Sequence, residues 1–122
     1  MNIYTGYFGK SKKYPAEIVQ ISICASPPKA YKGLEYKILA PKYRILMEWK
    51  DTHNSDRYIQ CFNSEVLGPL DPKSVYADLE RMSGGKDIVL LCYEKPEDFC
   101  HRYIVADWLG KSIGAEIKEL VV

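Results

Sequence analysis

The sequence predicts a three-layer, Rossmann-like α/β fold with a small, mainly parallel sheet. Three observations carry this expectation. The hydrophobic period switches between two and 3.6 along the chain, giving the order β-β-(ααα)-β-α-β. The run Ile88-Val-Leu-Leu91 is apolar without interruption, as in a strand buried on both faces. No repeat, linker or low-complexity tract breaks the 122 residues, a length that suits one domain over 1–122 with its own core.

The elements follow in order. Ile3 to Phe8 is aromatic and β-branched and reads as the first strand, with Gly9 to Lys13 as a turn. Glu17 to Cys24 is mostly apolar and reads as a second, central strand. Ser26-Pro27-Pro28 ends it, because proline donates no ladder bond and restricts the residue before it. Tyr31 to Leu39 alternates weakly and is expected to hold a short extended segment. From Pro41 the period becomes helical: Tyr43, Ile45, Leu46 and Trp49 share one stripe, and Asp51 to Asn54 closes the helix. A second helix is expected over Asp56 to Leu67. A third begins at Asp71-Pro72, an N-cap followed by proline at the first helical position, and stops at Gly84-Gly85. The strand Asp87 to Tyr93, the helix Asp98 to Ile113 and a last strand over Ala115 to Val122 complete the chain.

Composition excludes several roles. Seventeen basic and 16 acidic side chains leave a net charge of +1, so no global field recruits nucleic acid or an anionic membrane. The Lys10-Ser-Lys-Lys13 cluster reads as a solvated turn. No apolar run approaches the roughly 20 residues that cross a bilayer. Cys24, Cys61, Cys92 and Cys100 form no CxxC pair and follow no secretory leader, so all four are expected as free thiols in a reducing cytoplasm.

The chemistry concentrates near the C-terminus. The apolar strand ends in Cys92 and Glu94, and a proline-containing loop then delivers Cys100, His101 and Arg102 to a helix start. This is the carboxyl end of a strand, where α/β proteins bind ligands. At about 100° per residue, Ile104, Val105, Trp108 and Leu109 form the buried face of that helix, and His101 falls on the same arc. Arg102 lies at its margin. Four arrangements fit. His101 and Arg102 brace the turn through carboxylates. Arg102 and helix N–H groups hold a phosphate or carboxylate while His101 moves a proton. Cys100 acts as a thiolate lowered by the helix start. Or Cys92, Cys100 and His101, with Glu94 or Cys24, bind zinc; their spacing matches no common zinc motif, so neither metal nor cofactor is expected. His53, beside Asp51, Thr52 and Asn54, reads as part of a helix cap.

These residues resemble the bacterial and phage DUF488 family, a domain of unknown function. The resemblance rests on Tyr4-Thr5-Gly6-Tyr7 and on a C-terminal block. That block comprises Leu90-Leu-Cys-Tyr-Glu-Lys95, Cys100-His-Arg102 and Ala106-Asp-Trp-Leu109. It implies a Rossmann-type domain whose motif residues are Cys92, Glu94, Cys100, His101 and Arg102. Longer members typically carry Asp-Val-Arg at the end of the second strand, where this chain has Ser22-Ile23-Cys24. Short versions are similar to proteins of phages and mobile elements, which implies a host-interaction role as one option.

The resulting expectation is a cleft walled by Thr5 and Tyr7 on one side and by Ser22, Cys24 and Ser26 on the other. Arg102, with Cys92, Thr5, Tyr7 and Ser26, binds a nucleotide-like or otherwise phosphorylated ligand; His101, Cys100 and Glu94 are catalytic, Glu94 orienting His101. The alternative is a non-catalytic module for a protein partner, in which the motif is structural.

Overall fold

A computed structural model describes residues 1–122. Its centre is a five-stranded sheet in which every pairing is parallel. The strands are β1 (Ile3–Tyr7), β2 (Val19–Ser22), β3 (Leu34–Glu35), β4 (Ile88–Cys92) and β5 (Lys118–Glu119), in the order β3-β2-β4-β1-β5. The helices are α1 (Tyr43–Thr52), α2 (Ser55–Phe62), α3 (Pro72–Ser83) and α4 (His101–Ile113). This is the expected α/β architecture, with a sheet that is wholly rather than mainly parallel.

Strand parity explains the layers. Ile88 and Leu90 of β4, with Ile3 and Ile21, pack beneath Phe62, Leu79, Val105 and Leu109 from the helices. Val89 and Leu91 turn to the opposite face, against Tyr14 and the half-buried Phe8, Ile18, Tyr31 and Leu120. That second cover is thin, built around a 3₁₀ segment over Phe8–Lys13 that contains the lysine cluster. All five residues of β4 are buried, as its continuous apolar run requires.

The ends of the helices follow their capping chemistry. The Asp71 side chain accepts from the Lys73 N–H at 3.2 Å, with Pro72 behind it. Asn54 accepts from the Arg57 N–H at 3.1 Å. His53 takes a left-handed conformation (φ 53°) as it ends α1, which is the cap role its neighbours predict. The expected helix over Asp56 to Leu67 divides into α2 and a π-helical turn at Asn63–Leu67. The expected strands at Glu17 to Cys24 and Ala115 to Val122 shorten to the residues that find a ladder partner.

Gly6 marks a place where sequence and packing meet. The buried Tyr14 ring lies directly over it, and Tyr14 Oη accepts from the Tyr7 N–H at 3.1 Å. A Cβ at Gly6 would collide with that hydroxyl and approach Val89 Cγ2 to 2.8 Å. Gly6→Ala is therefore expected to destabilise the fold by about 1–3 kcal/mol, as overpacking does. Urea denaturation measures this; in the background of Tyr14→Ala the penalty should shrink to what the Val89 contact leaves, and an undiminished penalty would place the strain away from Tyr14.

Candidate functional site: a buried Cys-His-Arg cluster

The end of β4 and the start of α4 converge on one point. Cys92 closes the strand, Cys100 is the residue before the first helical turn, and both are buried together with His101 and Arg102. Cys92 and Cys100 are joined as a disulfide, which corrects the expectation of four free thiols. Seven residues lie between them in sequence, and the loop between strand and helix folds that gap to direct contact. Cys24 and Cys61 are free and buried. Burial pushes the Cys24 thiol up to about 12, so it stays protonated at neutral pH.

Arg102 is wholly buried, and each of its five N–H donors has a partner. Nε and Nη2 reach the two carboxylate oxygens of Glu119, each at 3.2 Å. Nη1 donates to the Glu94 carbonyl at 2.7 Å and to Cys92 Sγ at 3.0 Å. Nη2 also donates to Tyr103 Oη at 2.8 Å, and the guanidinium lies 4.5 Å from the Tyr103 ring centre. Thr5 completes the pair by donating from Oγ1 to Glu119 at 2.6 Å. No donor of Arg102 is left to point at open space.

His101 is held from the other side of the sheet. Its Nε2 lies 2.7 Å from the carbonyl oxygen of Ile23, just past the end of β2, and its Nδ1 faces Cys100 Sγ at 3.9 Å. Burial is the largest influence on the ring and pushes its pKa down to about 4; the Ile23 carbonyl opposes this, and the Arg102 charge adds to it. At neutral pH the imidazole therefore carries one proton, on the nitrogen that donates to Ile23, and turns a lone pair toward the sulfurs. Glu94, expected to orient His101, is exposed, with its carboxylate 3.9 Å from Cys92 Sγ; a backbone carbonyl does the orienting.

The remaining expected site residues spread around this cluster. The half-buried Tyr7 ring centre is 5.9 Å from the Arg102 guanidinium. Ser26 is exposed, and its carbonyl accepts from the Tyr93 hydroxyl. Ser22 is buried, and its hydroxyl accepts from the Cys24 N–H at 3.2 Å. Open space reaches the cluster at Cys100, beside α4. A groove of about 670 Å³ between α4 and the α2–α3 region is lined by Phe99, Cys100, Tyr103, Ile104 and Trp108, with Asn63, Asp107 and Lys111 at its polar positions. Ile104 and Trp108, expected in the buried face, are half-buried and form its wall.

The family model described as the active DUF488-N3 subclade, DUF488-N3a, matches residues 3–113. The chain belongs to the DUF488 family. The match runs from β1 to the last residue of α4, so it contains the Cys-His-Arg motif and stops short of β5. The carboxylate on which the DUF488 arginine rests here, Glu119, lies outside it. No curated protein and no solved structure matches the chain. Two residues of the cluster escape sequence reasoning altogether. Ile23 acts through its carbonyl, which no side-chain pattern reveals. Glu119 sits in the last strand opposite Thr5, a register that only the paired sheet defines.

Proposed function

We propose that the chain is a small thiol-dependent enzyme whose ligand is nucleotide-like or otherwise phosphorylated and carries a flat ring. The observation that supports this most directly is that Cys100 belongs to two places at once, the aromatic groove and the buried cluster. Phe99, Tyr103 and Trp108 line the groove with aromatic surface suited to a base, and Lys111 and Asn63 offer polar contacts. The groove's volume falls in the usual range of ligand sites.

Within this reading the reduced form is the working one. A low-molecular-weight thiol reduces the Cys92–Cys100 bond and is itself oxidised to its disulfide, leaving both cysteines as thiols. Cys100, immediately before the first turn of α4, is the nucleophile. It attacks an electrophilic centre of the ligand, and the leaving group departs with the bonding electron pair. Water then hydrolyses the Cys100 adduct and restores the thiol. His101 positions Cys100 through Nδ1, and Arg102 holds Cys92 in place. The description of the matching family model as an active subclade supports the enzymatic half of the reading.

The reduced protein is expected to gain thermal stability from one class among nucleotides and sugar phosphates. Trp108→Ala should abolish that gain, while Cys100→Ser should retain it and lose turnover. Silence across the panel would overturn the reading.

A second reading, a non-catalytic module for a protein partner, draws support from the completeness of the Arg102 network, which needs no ligand to satisfy it. His101→Ala separates the two: a large fall in melting temperature with no change in ligand response favours the module.

A further inference from the structure

The geometry points to a metal site formed by the reduced cluster: Cys92 Sγ, Cys100 Sγ and His101 Nδ1 bind a divalent cation of the zinc class, with the fourth coordination position open. The three ligand atoms lie within 4.8 Å of one another, and all three residues are buried. The Cys100 and His101 ligand atoms stand 3.9 Å apart. A thiolate and an imidazole bound tetrahedrally at about 2.3 and 2.1 Å stand about 3.6 Å apart, so the observed separation needs little adjustment. The Cα atoms of Cys92 and Cys100 are 7.3 Å apart. That is wider than the roughly 4.4–6.8 Å that disulfides span, and it suits two thiolates placed on either side of an ion.

The surroundings carry the same message. The Ile23 carbonyl takes the Nε2 proton at 2.7 Å and so commits Nδ1 as the free lone pair. Outer partners orient metal-binding histidines in this way. An Arg102 N–H at 3.0 Å from Cys92 Sγ stabilises a thiolate there. Charge also balances. Arg102 and Glu119 cancel each other, so two buried thiolates without a cation would leave two uncompensated charges. A divalent ion removes both. The ligands come from a strand end and a helix start rather than from one knuckle, which is why the sequence spacing matches no common zinc motif. Three protein ligands and an open position form the arrangement of a catalytic rather than a structural zinc. A small disulfide R–S–S–R would convert the two thiolates to the Cys92–Cys100 bond, leave as two R–S⁻ and release the cation.

Co²⁺ serves as the spectroscopic probe, added to the full chain under a phosphine reductant and then displaced with Zn²⁺. One equivalent should give intense tetrahedral bands and thiolate-to-cobalt charge transfer, and oxidation with a small disulfide should abolish them. Cys92→Ser and Cys100→Ser should each weaken binding at least about tenfold, with folding checked by circular dichroism in chelator. Cys24→Ser and Cys61→Ser should bind as the parent does. No cobalt spectrum from the reduced parent, a pale octahedral one, or one lost in Cys24→Ser or Cys61→Ser would overturn the site. These readouts do not involve turnover. The proposal shares with the functional reading the reduced thiols and the atoms Cys100 Sγ and His101 Nδ1, which in the metal-bound form are ligands and in the metal-free form serve the thiol chemistry; ligand shifts measured in chelator test that reading separately.

Discussion

Arg102→Ala is expected to destabilise the protein by about 3–5 kcal/mol, the cost of removing one partner from a buried ion pair. For a chain of this size that corresponds to a fall in melting temperature of about ten degrees or more. The effect is large because the loss is not confined to Arg102. Glu119, whose side chain is 18 % exposed, keeps its charge and loses both guanidinium contacts, and the Glu94 carbonyl loses its donor. Arg102→Lys should recover only part of the loss, since an ammonium cannot meet both carboxylate oxygens and Cys92 from one plane. Arg102→Met combined with Glu119→Leu should cost clearly less than Arg102→Ala, because neither charge is stranded. Guanidinium denaturation of the three variants measures the pattern. Equal stability of Arg102→Ala and the parent would show that the network contributes nothing to the fold. The same physics changes what Arg102→Ala can say about function. A loss of ligand binding in that variant reports first on the fold, so Cys100 and Trp108 are the better probes of the groove.

The sequence made the sheet legible because its signals were local. The unbroken Ile88 to Leu91 run, the Asp71-Pro72 cap and the Gly84 and Gly114 stops each act over a few residues, and each appears where expected. Strand ends were overrun for a physical reason: burial continues past the ladder, since Ile23 still donates to the Leu91 carbonyl at 3.0 Å but the buried Cys24 turns its N–H to the Ser22 hydroxyl. The helix containing the motif was expected from Asp98 but begins at His101, because the preceding turn closes through Lys95 and Asp98 instead. The site was legible as a neighbourhood. Periodicity aimed His101 at the sheet end, and it is there. Partnership was legible only in part: the sequence offered Arg102 either a carboxylate or a ligand, and the carboxylate it meets, Glu119, is named only by the register of β5. The disulfide was missed because nothing in a seven-residue gap distinguishes two cysteines that meet from two that do not.

His101 predicts an acid lability that the composition does not. In the folded protein its pKa is pushed down to about 4, against 6.5 for an unburied histidine. Between those values the unfolded chain binds a proton that the folded chain refuses, so stability falls as pH falls. The contribution is complete above about pH 6.5 and is lost progressively toward pH 4. At 1.36 kcal/mol per pH unit the loss amounts to about 3 kcal/mol. Carboxylates also titrate at the lower end of this window, so the measurement is a difference. Denaturation of metal-free parent and His101→Gln is compared at pH 7 and near pH 4.5. The amide of glutamine can still donate to the Ile23 carbonyl but does not titrate, so His101→Gln should lose less stability than the parent over that interval. Parallel losses would mean that His101 is solvated in the folded protein. Its Nδ1 would then be a proton acceptor open to water, and a neutral ring directed at two sulfurs would no longer describe the site.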